Sequence, residues 1–508
     1  VMAPNGAAET SQYDEEGRLT SHLDFTGKSM QLVYDNTGTQ ITESDSNGLV
    51  TTRTLDANWK NLLSVTTPVN QTTFTYDSRG NLLTKTKTVD GVSQSWVYTY
   101  DSVGRITSFT HPKTGKTSYT YDASGALTKI TNALKHSWTI TQNDPHGRPL
   151  SITTPTGEVV TYLYDAAGRL TQQTLTYPDK SNHATVFTYT SRGKLATITR
   201  PDGYVTTFTY NVADFLTAIT DSLGNKIAYT LEGAGRPLSA THTQQGIVIS
   251  KQNYTYDTLT GEIASVTDGL GKKTTYGYDA SGRVIQETDA LNRQEVYQRY
   301  AFGGALEYSY SGTNPNFVSG GRVDFTYDLL GSLTSVRTPD AQETLYTVDG
   351  FGLVKNRQSG STGQDQYLYH SNGLLKTRTD AKGNVTNYSY DALGRLTALA
   401  YSDGQNTTYS YDTLRVGALS SITGGGATLN YTYTPEGYVK TVSQVAGTLT
   451  KTLDYTWDAS GKIISLVTPS GQTIGFSYPP QGTQPSSVTL NGTNLISQVT
   501  WLPFSANP

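Results

Sequence analysis

Seven histidines, a recurring aspartate and one glycine-lysine-threonine run are the features of this sequence whose residue types could do chemistry. His22, His111, His136, His146, His183, His242 and His370 are scattered, with no His-x-His or His-Glu-x-x-His spacing to hold a metal. His370 occupies a slot filled elsewhere by Asp in a repeated turn, which points to a turn role. Gly115-Lys116-Thr117 echoes the end of a phosphate-binding loop, but Thr110 stands where that motif requires Gly. Its surroundings also read as a hairpin turn and not as a strand-to-helix junction. There is no Gly-x-Ser-x-Gly elbow, and with Cys 0 there is neither a thiolate nor a disulfide. Paired carboxylates could hydrolyse glycosides if two faced each other across a cleft. Here the aspartates recur 15 times in one turn position, usually with the same glycine partner, and repetition on that scale is structural. The expectation is therefore no catalytic, cofactor-binding or metal-binding residue.

What positions these groups is a repeat. A Tyr-Asp pair with Gly three residues after the Asp returns about every 21 residues, a period that marks one stacked supersecondary unit. Its clearest copies are Tyr13-Asp14…Gly17, Tyr76-Asp77…Gly80, Tyr100-Asp101…Gly104 and Tyr121-Asp122…Gly125. Tyr164-Asp165…Gly168, Tyr278-Asp279…Gly282, Tyr327-Asp328…Gly331 and Tyr390-Asp391…Gly394 continue the series. In all there are 22 copies, 17 with Tyr at the marker; Leu55, Asn143, Leu231, Val348 and Trp457 are the substitutes. Two residues earlier an aromatic is again usual, as at Phe74, Tyr98, Tyr119, Phe187 and Phe208. A spacing of two puts both rings on one face of a strand, with Thr75 or Thr99 on the other.

The Asp-x-x-Gly segment reads as a reversal: Asp accepts backbone N–H bonds and Gly supplies positive φ. That Gly is present in 18 of 22 copies; Trp59, Asp214, Thr260 and Arg415 replace it in the others. A second strand follows, with apolar residues six and nine positions after the marker. That odd spacing would split them between faces unless a bulge intervenes. A second turn, often with Pro and Gly (Pro201-Asp202-Gly203), leads to the next aromatic strand. The arginines after the Gly (Arg18, Arg105, Arg148, Arg169, Arg236, Arg283, Arg395) are placed to pair with the turn aspartates. Tyrosine rows could stack on sugar rings; aromatic ladders packed between strands are the simpler reading.

The fold expected is all-β: a long antiparallel hairpin array of roughly 40 strands. A flat sheet of that width is implausible because sheets twist, so it should coil into a spiral, hollow shell or barrel-like segment. The repeat has no break where a boundary could fall, so residues 1–508 read as one continuous array. The longest gap between markers predicts a protruding loop at 311–321. Abundant aromatics (Tyr 36) and only 16% charged residues argue against disorder, and a net charge of −4 gives no basic footprint for nucleic acid. No apolar run is long enough to span a membrane, and VMAPNGAAET shows no signal-peptide pattern.

The Tyr-Asp-x-x-Gly-Arg-Leu unit resembles the YD repeat, or RHS repeat, of bacterial Rhs polymorphic toxins, toxin-complex C subunits and teneurins. The resemblance covers nearly the whole chain and gains its specificity from the number of copies. It implies a β-sheet wound into a hollow shell that, in the toxins, encloses a C-terminal effector polypeptide until delivery by secretion or export. In teneurins it implies an extracellular adhesion scaffold, so a cell-surface scaffold binding carbohydrate or a protein partner is the alternative. Expected partners are an enclosed effector or the remaining shell segments. The resemblance implies an Rhs-associated core with a self-cleavage motif; neither is seen after Trp501-Leu502-Pro503-Phe504, near the end of the sequence, so a shell fragment is the expectation. Asp144-Pro145-His146-Gly147 looks like the cleavage motif but sits in the repeat's own Asp and Gly slots, so it reads as a diverged turn.

Overall fold

A computed structural model describes residues 9–24, 28–258, 260–279, 282–299, 306–312, 321–479, 482 and 484–499. The chain is all-β: 45 antiparallel strands in one sheet, with no helix among the described residues. Strands pair with their sequence neighbours, as Gln71–Tyr76 does with Leu62–Thr66 before it and Leu82–Val89 after it. The sheet does not close on itself: Thr10–Tyr13 pairs with Leu19–Leu23, and Thr493–Ile496 with Ser487–Leu490. Most of the segment expected to protrude, residues 313–320, lies outside the described residues, as do Tyr300 and Trp501–Phe504.

A bulge resolves the odd apolar spacing. Tyr121 pairs with Leu127 but Thr120 pairs with Lys129, so Thr128 is the extra residue; Tyr164 and Tyr189 show the same shift. One inserted residue reverses the alternation, which returns positions six and nine after the marker to one face. Ile130 thus lies opposite Tyr119, Ile198 opposite Phe187, and Phe109 opposite Tyr98, whose rings sit 4.9 Å apart. The bulged threonine has its own role: Thr128, Thr171 and Thr217 hydroxyls donate to the carbonyls of Thr120, Leu163 and Thr209.

Both reversals of the unit share one geometry. Asp101 N–H donates to the Arg105 carbonyl at 2.9 Å and Gly104 N–H to the Asp101 carbonyl at 3.1 Å. The second turn, Thr154 to Glu158, repeats this pattern. Gly104 sits at φ 88° and a Cβ there would meet nothing closer than 3.8 Å, so any cost of substitution is conformational. Gly104→Ala should destabilise its hairpin by about 1–2 kcal/mol. Ala341 holds the equivalent place in a second turn at φ 62°, so Ala341→Gly should stabilise by about 1 kcal/mol. Local hydrogen exchange checks both; equal protection in the Gly104→Ala and parent chains would contradict them. Trp59 and Asp214, which replace the turn Gly, take positive φ themselves, whereas after Thr260 and Arg415 the role passes to Gly261 and Gly417.

The sheet is a single layer with little core. Its surface is 28,500 Å², against about 18,000 Å² expected for a compact protein of this mass. Buried apolar residues are few, Val89 and Tyr177 among them. The chain forms two compact units. The first comprises Val1–Lys116, Tyr254–Tyr388 and Ala392–Gly394; inside it, residues 69–113 lie against residues 350–394. The second comprises Thr117–Asn253, Ser389–Asp391 and Arg395–Pro508; inside it, His136 and Glu158 meet Asp412 and Arg415. In each unit the ribbon therefore passes alongside itself.

Candidate functional site

The working part of this molecule is the joint between successive repeats, and the marker tyrosine makes it. Tyr76 hydroxyl donates to the Leu62 carbonyl at 2.9 Å, Tyr100 to Leu82 at 2.8 Å, and Tyr164 to Pro149 at 3.2 Å. Tyr189, Tyr210, Tyr278, Tyr369, Tyr411, Tyr433 and Tyr478 make the same bond to the preceding repeat. The acceptor is the residue that opens the bulged strand, as Leu62, Leu82 and Pro149 do. Two substitutes keep a donor: Trp457 Nε1 reaches the Val439 carbonyl at 2.8 Å and Asn143 Nδ2 the Leu127 carbonyl at 3.2 Å. Tyr13, on the first described strand, is 64% exposed.

Sequence reading treated the marker as a buried aromatic and missed the hydroxyl. A signal was there: the marker is never Phe, whereas the position two residues earlier takes Phe and Tyr alike. Burial raises the hydroxyl pKa of Tyr76, Tyr100, Tyr278 and Tyr433 above the ordinary value.

The turn aspartate is the second element. Asp101 Oδ1 accepts the N–H groups of Val103 and Arg105, both at 2.9 Å, and Oδ2 accepts Arg105 Nε at 2.6 Å. Partial desolvation pushes the Asp101 pKa up, but these donors outweigh it and hold the carboxyl below its usual range. Asp14, Asp144, Asp165, Asp279 and Asp391 have the same Arg partner. The arginine then reaches forward: Arg18 lies 4.6 Å over the Tyr34 ring, Arg148 over Tyr164, Arg169 over Tyr189 and Arg395 over Tyr411. Hydroxyl backward and guanidinium forward, repeats such as that of Tyr164 are tied to both neighbours. Exposed ion pairs and ring contacts of this kind each add little alone, because water screens the charge. Their weight comes from recurrence along the ribbon.

Residues singled out for chemistry fall into the same scheme. Asp144-Pro145-His146-Gly147 is a repeat turn, with Asp144 Oδ1 accepting the N–H groups of His146 and Arg148 and Gly147 at φ 80°. His370 keeps the turn's backbone bonds to Leu374 and Gly373. Gly115-Lys116-Thr117 opens the strand Gly115–Tyr121. Among the described residues no three His, Asp or Glu side chains are grouped to hold a metal ion. Asp77, Asp122 and Asp328 each accept N–H groups of their own turns, with Gly80, Gly125 and Gly331 at positive φ. Gly17, Gly168, Gly282 and Gly394 are likewise left-handed.

Where the ribbon passes itself, each unit has a seam. In the first unit Asn70 Nδ2 donates to the Gly350 carbonyl at 3.2 Å, Lys355 pairs with Asp90 at 3.5 Å, and Lys87 lies 5.7 Å over Phe351. A cavity of about 350 Å³ lies beside these contacts, lined by Val89, Gln94, Phe351 and Tyr369. In the second unit Arg415 pairs with buried Glu158, which also accepts the Thr154 and Thr156 hydroxyls. His136 Nε2 lies 3.9 Å from Asp412.

A hairpin ribbon whose repeats interlock through side chain and backbone defines a class, the repeat β-proteins built from nearest-neighbour joints. Two family models match: Teneurin YD-shell over residues 205–424, and RHS Repeat over 59–93, 96–136 and 144–181. The chain belongs to the YD-repeat (RHS-repeat) family. No curated protein matches it. Solved structures similar to it include the TcdB2-TccC3-Cdc42 crystal structure, at 14% identity and TM-score 0.47, covering 97% of this chain and 27% of that one. A Photorhabdus luminescens Tc holotoxin pore structure is similar at 16% identity and TM-score 0.47, covering 97% of this chain and 30% of that one. The chain thus spans less than a third of the length of either. No helix among the described residues is long and apolar enough to cross a membrane.

Proposed function

We propose that this chain is a structural, non-enzymatic wall segment of a YD-repeat shell. In the complete protein that shell encloses a C-terminal toxin or effector polypeptide and keeps it inactive until export. Residues 1–508 act as one continuous array, and the recurrent Tyr, Asp and Gly serve the wall and no active centre. The observation that supports this reading is the recurring tie between repeats, Tyr hydroxyl to the preceding carbonyl and, in several, Arg to the following ring. Such a tie makes an extended surface without a conventional core, which suits a container better than a catalyst.

Limited proteolysis of the full-length gene product tests it. The segment beyond the repeats should survive protease that digests the same segment expressed alone. Equal digestion of the two would end the container reading.

A further inference from the structure

We infer that the seam in the first unit is a parting line, the place where the wall opens while its strand ladder stays intact. The inference rests on the shell reading for its purpose and on the packing for its substance. Within the ribbon, neighbouring strands are joined by dense antiparallel ladders; Leu82–Val89 and Val92–Tyr100 share six consecutive residue pairs. Across the seam, among the described residues, the joining is sparse. Asn70 gives a hydrogen bond, Asp90 and Lys355 an ion pair in solvent, and Lys87 a distant ring contact, with no strand ladder among the described residues. An exposed pair contributes little and is weakened by salt.

The seam is also reached by water: a cleft of about 350 Å³, open to solvent, lies on it. The fit is closest at Gly350, and Gly373 and Gly394 also come close to Gln94 and Lys113. Gly350 has no left-handed φ, so conformation does not require a glycine there. Space does: a Cβ would come within 2.5 Å of the Val69 carbonyl oxygen and 3.1 Å of the Val89 methyl groups. Val89, only 4% exposed, owes that cover to a residue some 260 positions later in the chain. The second unit's seam differs, since Arg415 meets the buried carboxylate of Glu158 there. Its separation would strand a charge, so the first unit's seam is the one that parts.

Thiol labelling tests this cleanly because the chain has no cysteine. Val89→Cys reports the seam, and Ala218→Cys, buried within a ladder of the second unit, reports ladder opening. Under native conditions V89C should react with a maleimide at least ~10-fold faster than A218C, and faster still in high salt. Adding Gly350→Ala should speed V89C by a further ~10-fold and leave A218C and the strand circular dichroism unchanged. If V89C reacts no faster than A218C, the seam does not part. If Gly350→Ala leaves the V89C rate unchanged, the hairpin tip frays by itself and the parting line is wrong. Labelling needs no cargo, so its failure and failure of the proteolysis experiment are separate results.

Discussion

Arg415→Met should lower the stability of the second unit by about 3 kcal/mol, and adding Glu158→Leu should recover most of that loss. Glu158 is among the most buried charged groups, at 4% exposure. Removing its arginine leaves a carboxylate with no opposite charge, held by the Thr154 and Thr156 hydroxyls and its own backbone N–H. Breaking a buried pair from one side typically costs about 3–5 kcal/mol, whereas replacing both partners by apolar groups is often neutral. Urea unfolding followed by hydrogen exchange of residues 154–158 and 412–418 reads the cycle. A double variant as unstable as Arg415→Met alone would mean that the pair is not the cause.

The same pair fixes an acid dependence. Burial pushes the Glu158 carboxyl up, but the two hydroxyls and Arg415 outweigh it and bring the pKa below the ordinary 4.5. A carboxyl depressed in the folded state contributes stability that is present above its unfolded pKa and lost as pH falls through the folded one. The second unit's seam should therefore weaken below about pH 4.5, and the Arg415→Met, Glu158→Leu double variant should lack that contribution.

Converting Tyr164, Tyr189 and Tyr210 together to Phe should cost about 3 kcal/mol, roughly 1 per site, and speed amide exchange between residues 159 and 210 about 100-fold. Each substitution keeps the ring and removes only the donor to Pro149, Leu170 or Leu195. Tyr162→Phe, two residues before a marker, should change little, which separates the joint from general aromatic packing. Unchanged exchange in the triple variant would show that the hydroxyl bonds add nothing. Alkali acts on the same joint: burial raises the pKa of marker tyrosines such as Tyr76 and Tyr433 in the folded chain. Their contribution is complete below the unfolded value near 10 and disappears as pH rises through the folded one.

Much of this architecture is legible in the residues because it is local. Thr-Phe-Thr-Tyr alternation specifies a strand, Asp-x-x-Gly specifies a reversal, and apolar residues six and nine after the marker demand a bulge, which Thr128 supplies. The hydroxyl joint was harder to see, because its acceptor is a backbone carbonyl, and the apolar side chain of that residue does not announce it. The seams were out of reach. Contacts such as Asn70 with Gly350 and Glu158 with Arg415 join residues 280 and 257 positions apart, and they depend on how far the ribbon bends over many repeats. No period of 21 residues encodes that sum of small rotations.

The tyrosine joint also has a direction. Each of these marker hydroxyls finds its carbonyl some 14–19 residues upstream, in a strand that has already been synthesised. For this bond, a growing chain leaving the ribosome therefore meets a finished acceptor at each such repeat. Assembly by successive clicks from the amino terminus suits a protein with so little core to collapse around, and it keeps the exposed strand edge to one moving front.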